Sequence, residues 1–409
     1  VKRLLGVALG ILTAIGGFVD IGDLVTNAVV GSRFGVSLAW VVVLGVVGIC
    51  LFANMSGRVA AVSGRATFEA IRERLGARAG LANLAASFLI NLMTVTAEVG
   101  GIALALQLAM GVQYELWIPL AIVAVWLVIW RVRFSIMENV TGLLGLCLVV
   151  FAVALALLGP QWGDLLKDAL TPAVPAGESA GTYWYYAIAL FGAAMTPYEV
   201  FFFSSGAVEE RWGPKDIAQS RINVFIGFPL GGFLSLTIAV CAAVVLLPAG
   251  IEVVSLSQVA LPVAQGGGQI AVAVLIVGMV AATFGAALET TLSSGYTLAQ
   301  YFGWSWGKFR RPAEAARFHL AMIVCLVVAG AVLATGVDPV LVTEYSVVFS
   351  AIALPLTYLP ILIVANDPGY MGERVNGRAV NVLATVFLVI ILVASVAAIP
   401  LMIITGAGQ

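Results

Sequence analysis

Two carboxylates, Asp20 and Asp23, stand in the stretch GFVDIGDLVTN at 17–27, near the middle of an apolar segment from about residue 4 to 30. Three residues apart, they share one face of a helical turn. An ionisable group at membrane depth is costly, and it faces a partner, a cavity or a transport pathway. No Lys or Arg lies near them in the segment, so their charge asks for a cation or a proton. Gly16, Gly17 and Gly22 beside them let the backbone open. Open backbone at that depth is tolerated only where it lines a cavity or is buried in protein. The plainer alternative is that one Asp caps a half-helix and the other carries a proton.

Other acids fall in other apolar segments: Glu98 in MTVTAEVGG, Glu199 after GAAMTPY, and Glu289 in GAALETTLSS. For Glu98 and Glu289 the competing reading is a hydrogen-bonded acid that fixes helix packing. Around Glu289, Thr290, Thr291, Ser293 and Ser294 make a polar face. Glu344 lies near a segment end and reads as water-facing. Glu138, beside Arg131 and Arg133, reads as a surface acid, and His319 as an interfacial residue.

These groups need elements to hold them at membrane depth. Of 409 residues, 62% are hydrophobic and 10% charged, against about 25% charged in a soluble domain. A spanning helix takes about 20 apolar residues, and the chain divides into eleven such spans. They run at about 4–31, 37–62, 80–111, 116–133, 139–159, 182–209, 221–248, 269–302, 316–336, 339–366 and 379–405. Numbered in that order, they predict an all-α polytopic membrane protein.

The opening Val-Lys-Arg followed by an apolar run, without a cleavable signal pattern, puts the N-terminus inside. All Lys and Arg but Arg33 and Lys167 then fall on the cytoplasmic side, as the positive-inside rule requires. The C-terminus is expected outside the cytoplasm, in a plasma or inner membrane. The four cysteines, Cys50, Cys147, Cys241 and Cys325, sit in apolar runs without metal-ligand spacing. No nucleotide-binding loop, catalytic triad or Cys/His cluster appears. The composition therefore argues against an enzyme, an ATP-driven pump or a nucleic-acid binder.

Span 6 contains GAAMTPYEVFFFSS, with Pro197 in its middle. Proline inside a helix removes a hydrogen bond and clashes with the preceding turn. Span 1 thus has a glycine-permitted break and span 6 a proline-forced one. Interrupted helices at matching positions of two halves point to an inverted-repeat transporter with its site at the midplane. The expected units are 1–159 (first five-helix repeat), 160–181 (an extracellular polar loop), 182–366 (second repeat) and 367–409 (span 11). That is a LeuT-like arrangement of five plus five helices and one addition.

In joint order these motifs resemble the NRAMP divalent-metal transporters over nearly the whole chain. The family's Asp-Pro-Gly-Asn is matched by Asp20-Ile21-Gly22-Asp23, with fitting spacing to Trp40. Its Ala-x-x-Met-Pro-His is matched by Ala193-Ala194-Met195-Thr196-Pro197-Tyr198, running on to Ser204-Ser205. SSGYTLAQ in span 8 and ANDPGYMGERVNGRAVNVLA at the span 10–11 junction fit as well. The resemblance implies a metal site of Asp20, Asp23, the Ala193 carbonyl and the residue at 196.

Two departures change the chemistry implied. Asp23 stands where the family has Asn, and Thr196 where it has Met. The site gains a negative charge and loses a thioether, and hard cations prefer oxygen. This looks closest to the NRAMP-related magnesium transporters. Tyr198 replaces the family's His, and a phenol with an ordinary pKa of about 10 is a poor proton relay. Val95 replaces an acid, and Glu98 is the remaining proton-relay candidate. Glu199 and Glu289 are expected to hold the waters that Mg²⁺ keeps.

The expected function is inward secondary transport of hard divalent cations, Mg²⁺ first with Mn²⁺ tolerated, without proton coupling. The metal ion is substrate, the bilayer is the other partner, no cofactor is implied, and a monomer is expected. The alternatives are a proton-coupled Mn²⁺/Fe²⁺ symporter of the ordinary family type, or an amine or amino-acid carrier on the same fold.

Overall fold

The computed structural model describes residues 18–132 and 134–408, apart from the side chains of Phe134, Ser135 and Glu138. The expectations for Gly16, Gly17, Lys2, Arg3, Arg133, Glu138 and the first half of span 1 lie outside the described residues. All the regular structure described is helical. Ten helices are long and apolar enough to cross a membrane among the described residues. They are Ala39–Ser63, Thr67–Met110, Tyr114–Arg131, Asn139–Leu158, Ala180–Glu209, Ile217–Ala249, Leu261–Phe302, Ala316–Leu333, Pro339–Ala365 and Arg378–Ile404. They follow spans 2 to 11 in order, and Ile21–Phe34 is the described helix of span 1.

The outer surface explains the composition. Leu383, Val386, Val389, Leu392, Val393 and Val396 of span 11 are exposed. In water such a stripe is an aggregation hazard, and in a bilayer it is the solvent-matched face. The interior is the reverse, with Asp20, Asp23, Glu98, Glu199 and Glu289 all buried.

Boundaries differ from expectation in two places. The basic stretch ahead of span 3 is helical rather than a loop, and the helix Thr67–Met110 is interrupted only at Gly76, with φ 83° and ψ 170°. That left-handed φ suits glycine and lets a short helix turn into the span. The loop at 160–181 contains the helix Trp162–Leu170. Its Trp162, Leu166 and Leu170 are exposed on one face, a helical spacing hidden among Gly and Asp. His319 is buried in the first turn of Ala316–Leu333, with Nε2 3.1 Å from the Arg310 carbonyl.

Span 3 packs against spans 8 and 10, while the described half of span 1 lies along span 7 and also touches spans 6 and 10. Close approach is needed beside the break of span 6. A Cβ on Gly192 would come within 2.2 Å of the Val347 carbonyl of span 10, so any larger residue there would push the spans apart. At the end of span 1, Arg33 bonds both oxygens of Glu178, at 2.9 and 3.1 Å. It also donates to the Gly408 carbonyl at 2.6 Å. That end of span 1 is thereby tied to the segment before span 6 and to the last described residues.

Candidate cation site

The helix of span 1 is broken between Phe18 and Ile21. Asp20 is extended, with φ −98° and ψ −175°, and caps Ile21–Phe34. Its Oδ1 accepts the Asp23 N–H at 2.8 Å. A helix start leaves its first N–H groups without partners in the helix and carries partial positive charge. The Ile21 N–H donates to Glu98 Oε1 of span 3 at 3.2 Å. Two orphan donors are therefore satisfied by carboxylates, one local and one distant in sequence. Capping, one half of the plainer reading of the Asp pair, is a role Asp20 does fill.

Span 6 is broken between Ala180–Ala194 and Pro197–Glu209. Met195 and Thr196 between them have non-helical angles, φ −110° and ψ 61°, then φ −66° and ψ 118°. In an unbroken helix the N–H of residue 197 would bond the carbonyl of Ala193, four residues back. Proline has no N–H, so that carbonyl loses its helical donor. Thr196 makes no side-chain capping bond. The Met195 sulfur is turned toward span 2, where a Cβ on Gly48 would lie 2.7 Å from it.

A narrow cavity of about 10 Å³ lies between the breaks, room for about one water-sized body. Asp20 and Gly22 of span 1, Gly192 and Thr196 of span 6, and Thr94 and Glu98 of span 3 line it. Span 10 closes the wall with Thr343, Ser346 and Ser350. The Thr94 and Ser346 hydroxyls are 3.1 Å apart and hydrogen-bonded. Tyr198 donates its hydroxyl to Asp20 Oδ2 at 3.2 Å. Among the described residues, no Lys, Arg, His, Cys or Met lines this space, and every polar atom the lining side chains offer is oxygen.

The structure thus brings Asp20, Thr196 and Glu98 to one cavity. Asp23 is not in its lining. One of its oxygens accepts from Asn27 Nδ2 at 2.9 Å, and the other accepts from the Ser235 hydroxyl of span 7. Ala193 is buried next to the lining residue Gly192. Glu199 and Glu289 are buried too, and neither lines the cavity. Among the described residues no three His, Cys, Asp or Glu gather in metal-holding geometry. The ion-binding capacity here is two carboxylates plus neutral oxygens.

The sequence reading missed Thr94, Thr343, Ser346 and Ser350 as wall residues. A signal was present, since 343, 346 and 350 recur at helical spacing within an apolar run. Ser235 carried no such signal, because its partner Asp23 lies 212 residues away.

The family model described as natural resistance-associated macrophage protein-like (Nramp) matches residues 10–400. A divalent metal cation transporter, MntH, of Aeromonas hydrophila is 26% identical over 370 residues, covering 88% of this chain and 87% of the relative. The crystal structure of a manganese transporter of Eremococcus coleocola superposes with a TM-score of 0.71 at 20% identity, over 98% of this chain and 87% of its own. Mhp1, a nucleobase-cation-symport-1 family transporter, has a TM-score of 0.63 at 17% identity, over 98% and 90%. These likenesses give the fold as LeuT-type.

Proposed function

The chain belongs to the Nramp family, and from that membership we propose that it carries hard divalent cations inward, Mg²⁺ first with Mn²⁺ tolerated, without a coupled proton. The observation that carries this reading is the all-oxygen cavity between the two breaks, with Thr196 in its wall and the Met195 sulfur turned away. Asp20, the Thr196 hydroxyl and the Ala193 carbonyl hold the ion. Asp23, one helical turn on, adds a second negative charge and sets the position of the turn. Glu199 and Glu289 hold water around an ion that is still partly hydrated on its way in or out. Oxygen donors without a thioether favour Mg²⁺ and Mn²⁺ over softer metals.

The driving force is the membrane potential, worth about 2.3 kcal/mol per charge per 100 mV and twice that for a divalent ion. No proton route is needed for inward flux. Tyr198 is engaged with Asp20, and Val95 is buried and apolar. The protein works as a monomer in a plasma or inner membrane, N-terminus cytoplasmic and C-terminus extracytoplasmic, and catalyses no reaction. A second reading, proton-coupled Mn²⁺/Fe²⁺ symport, is favoured by the names of the relatives, while Thr196 and Tyr198 weigh against it.

The test is flux into proteoliposomes with Mg²⁺, Mn²⁺ and Ca²⁺, with and without a pH gradient, with a pH-sensitive dye inside. The expected result is Mg²⁺ uptake that follows potential, ignores the pH gradient and acidifies nothing. Metal-dependent acidification would restore the symport reading.

A further inference from the structure

We propose that Glu98 of span 3 is a direct cation ligand, the second carboxylate of the site whose first is Asp20. This rests on the divalent-cation reading above and adds a ligand to it. Glu98 is fully buried and lines the same cavity as Asp20. Its two oxygens are in different situations. Oε1 accepts the Ile21 N–H at 3.2 Å, which fixes the carboxyl group against the start of the helix Ile21–Phe34. Oε2 is buried and has no hydrogen-bond partner among the described residues.

A buried acceptor left unsatisfied is costly, and more so when it is anionic. Among the described residues, no basic side chain lines the cavity to pair with it. The species that satisfies an anionic oxygen beside a second carboxylate, in a space for about one water-sized body, is a small cation. The hydroxyls of Thr94, Thr196, Thr343 and Ser346 complete an oxygen shell around it.

Asp23 is the contrasting case. Both its oxygens already accept hydrogen bonds, from Asn27 and from Ser235. It acts on the ion through charge and through the position of the turn that carries Asp20. The site then joins the broken helix to span 3, which itself packs on spans 8 and 10. Occupancy by a cation pulls the two carboxylates together, and loss of the cation leaves them repelling. Binding is thereby linked to where the half-helix sits against its neighbours.

Calorimetric titration of the full chain in detergent with MgCl₂ and with MnCl₂, at fixed neutral pH, tests this. Glu98→Gln keeps an acceptor for the Ile21 N–H but removes the charge, and affinity is expected to fall about 100-fold or more, beyond the roughly 10- to 100-fold that loss of an outer partner costs. Glu98→Asp restores the charge and binds more tightly than the Gln variant. Glu344→Gln, which removes an acid of span 10 outside the cavity, binds like the parent. A role confined to proton transfer leaves affinity at fixed pH unchanged. Parent affinity in Glu98→Gln, with binding abolished in Asp20→Asn, would remove Glu98 from the site and leave the cation reading standing. Equal loss in the Gln and Asp variants would mark a packing role and overturn the proposal. A parent chain that binds neither metal would overturn the cation reading itself.

Discussion

The breaks in spans 1 and 6 are made differently and present opposite chemistry. In span 1 the break opens N–H donors at a helix start, and carboxylates have taken them: Glu98 holds the Ile21 N–H and Asp20 the Asp23 N–H. In span 6 the missing N–H of Pro197 removes a donor from the Ala193 carbonyl, and Thr196 beside it caps nothing. One break gathers anionic oxygens onto the positive end of a helix. The other leaves neutral oxygens at the negative end of one. A cation placed between them would meet acids already held in place and a carbonyl that has lost its helical donor. Making one break with capping acids and the other with proline produces an asymmetric site from two similar interruptions.

The largest expected effect comes from the acid side. Asn caps a helix about as well as Asp, so Asp20→Asn should keep its melting temperature while transport falls about a hundredfold or more. Asp20→Ala should lose both, with stability down by about 1 kcal/mol for the missing cap. A thermal melt beside a flux assay separates the two roles, and intact transport in Asp20→Asn would end the distinction between the breaks.

Next comes the neutral side. Pro197→Ala returns an N–H to the Ala193 carbonyl and allows one continuous helix. Proline at a helix start stabilises little by itself, so the variant should fold well and yet move Mg²⁺ about tenfold more slowly, a barrier change near 1.4 kcal/mol. Unchanged flux would mean that the carbonyl is not used.

A smaller effect is a change of preference. Thr196→Met with Asp23→Asn places a thioether at the neutral break and removes a charge at the other. Competition binding should then move toward Mn²⁺ and Cd²⁺ relative to Mg²⁺. Thr196→Met alone should move it less, and an unchanged order in both would count against hardness as the basis of selection.

The smallest effect lies far from both breaks, between spans 10 and 11. Asp367 accepts the Gly369 N–H at 2.7 Å and an ion pair from Arg74. These hold its carboxyl below the usual 3.8, the backbone bond first. A depressed folded pKa contributes stability above the unfolded value and loses it as pH falls through the folded one. The melting difference between the parent and Asp367→Asn should be slight at neutral pH, begin to shrink near pH 3.8 and vanish only below the lower folded value. A difference that grew in acid would reverse that sign.

Much of this was legible in the sequence. Hydropathy ordered the spans, because lipid-facing and buried helices alike must be apolar over about 20 residues. Pro197 announced its break, since proline acts locally. Asp20 announced the other, since a carboxylate in an apolar run has few bland explanations. The partners of these residues were not legible. Glu98 meets Ile21 across 77 residues and Ser235 meets Asp23 across 212, and spacing within one helix says nothing about which helix faces it. The short helices Trp162–Leu170 and that before Gly76 were hidden for another reason. Their Gly, Asp and Arg content reads as loop, and only packing or an interface makes a helix of them.

The central claim is that a hard divalent cation crosses at the paired breaks. Potential-driven Mg²⁺ uptake into proteoliposomes carrying the parent chain or Asp20→Asn tests it most directly. The account predicts saturable uptake by the parent and none above empty liposomes for the variant. Equal uptake by both, or Mg²⁺ excluded by a parent that carries Mn²⁺, would contradict it.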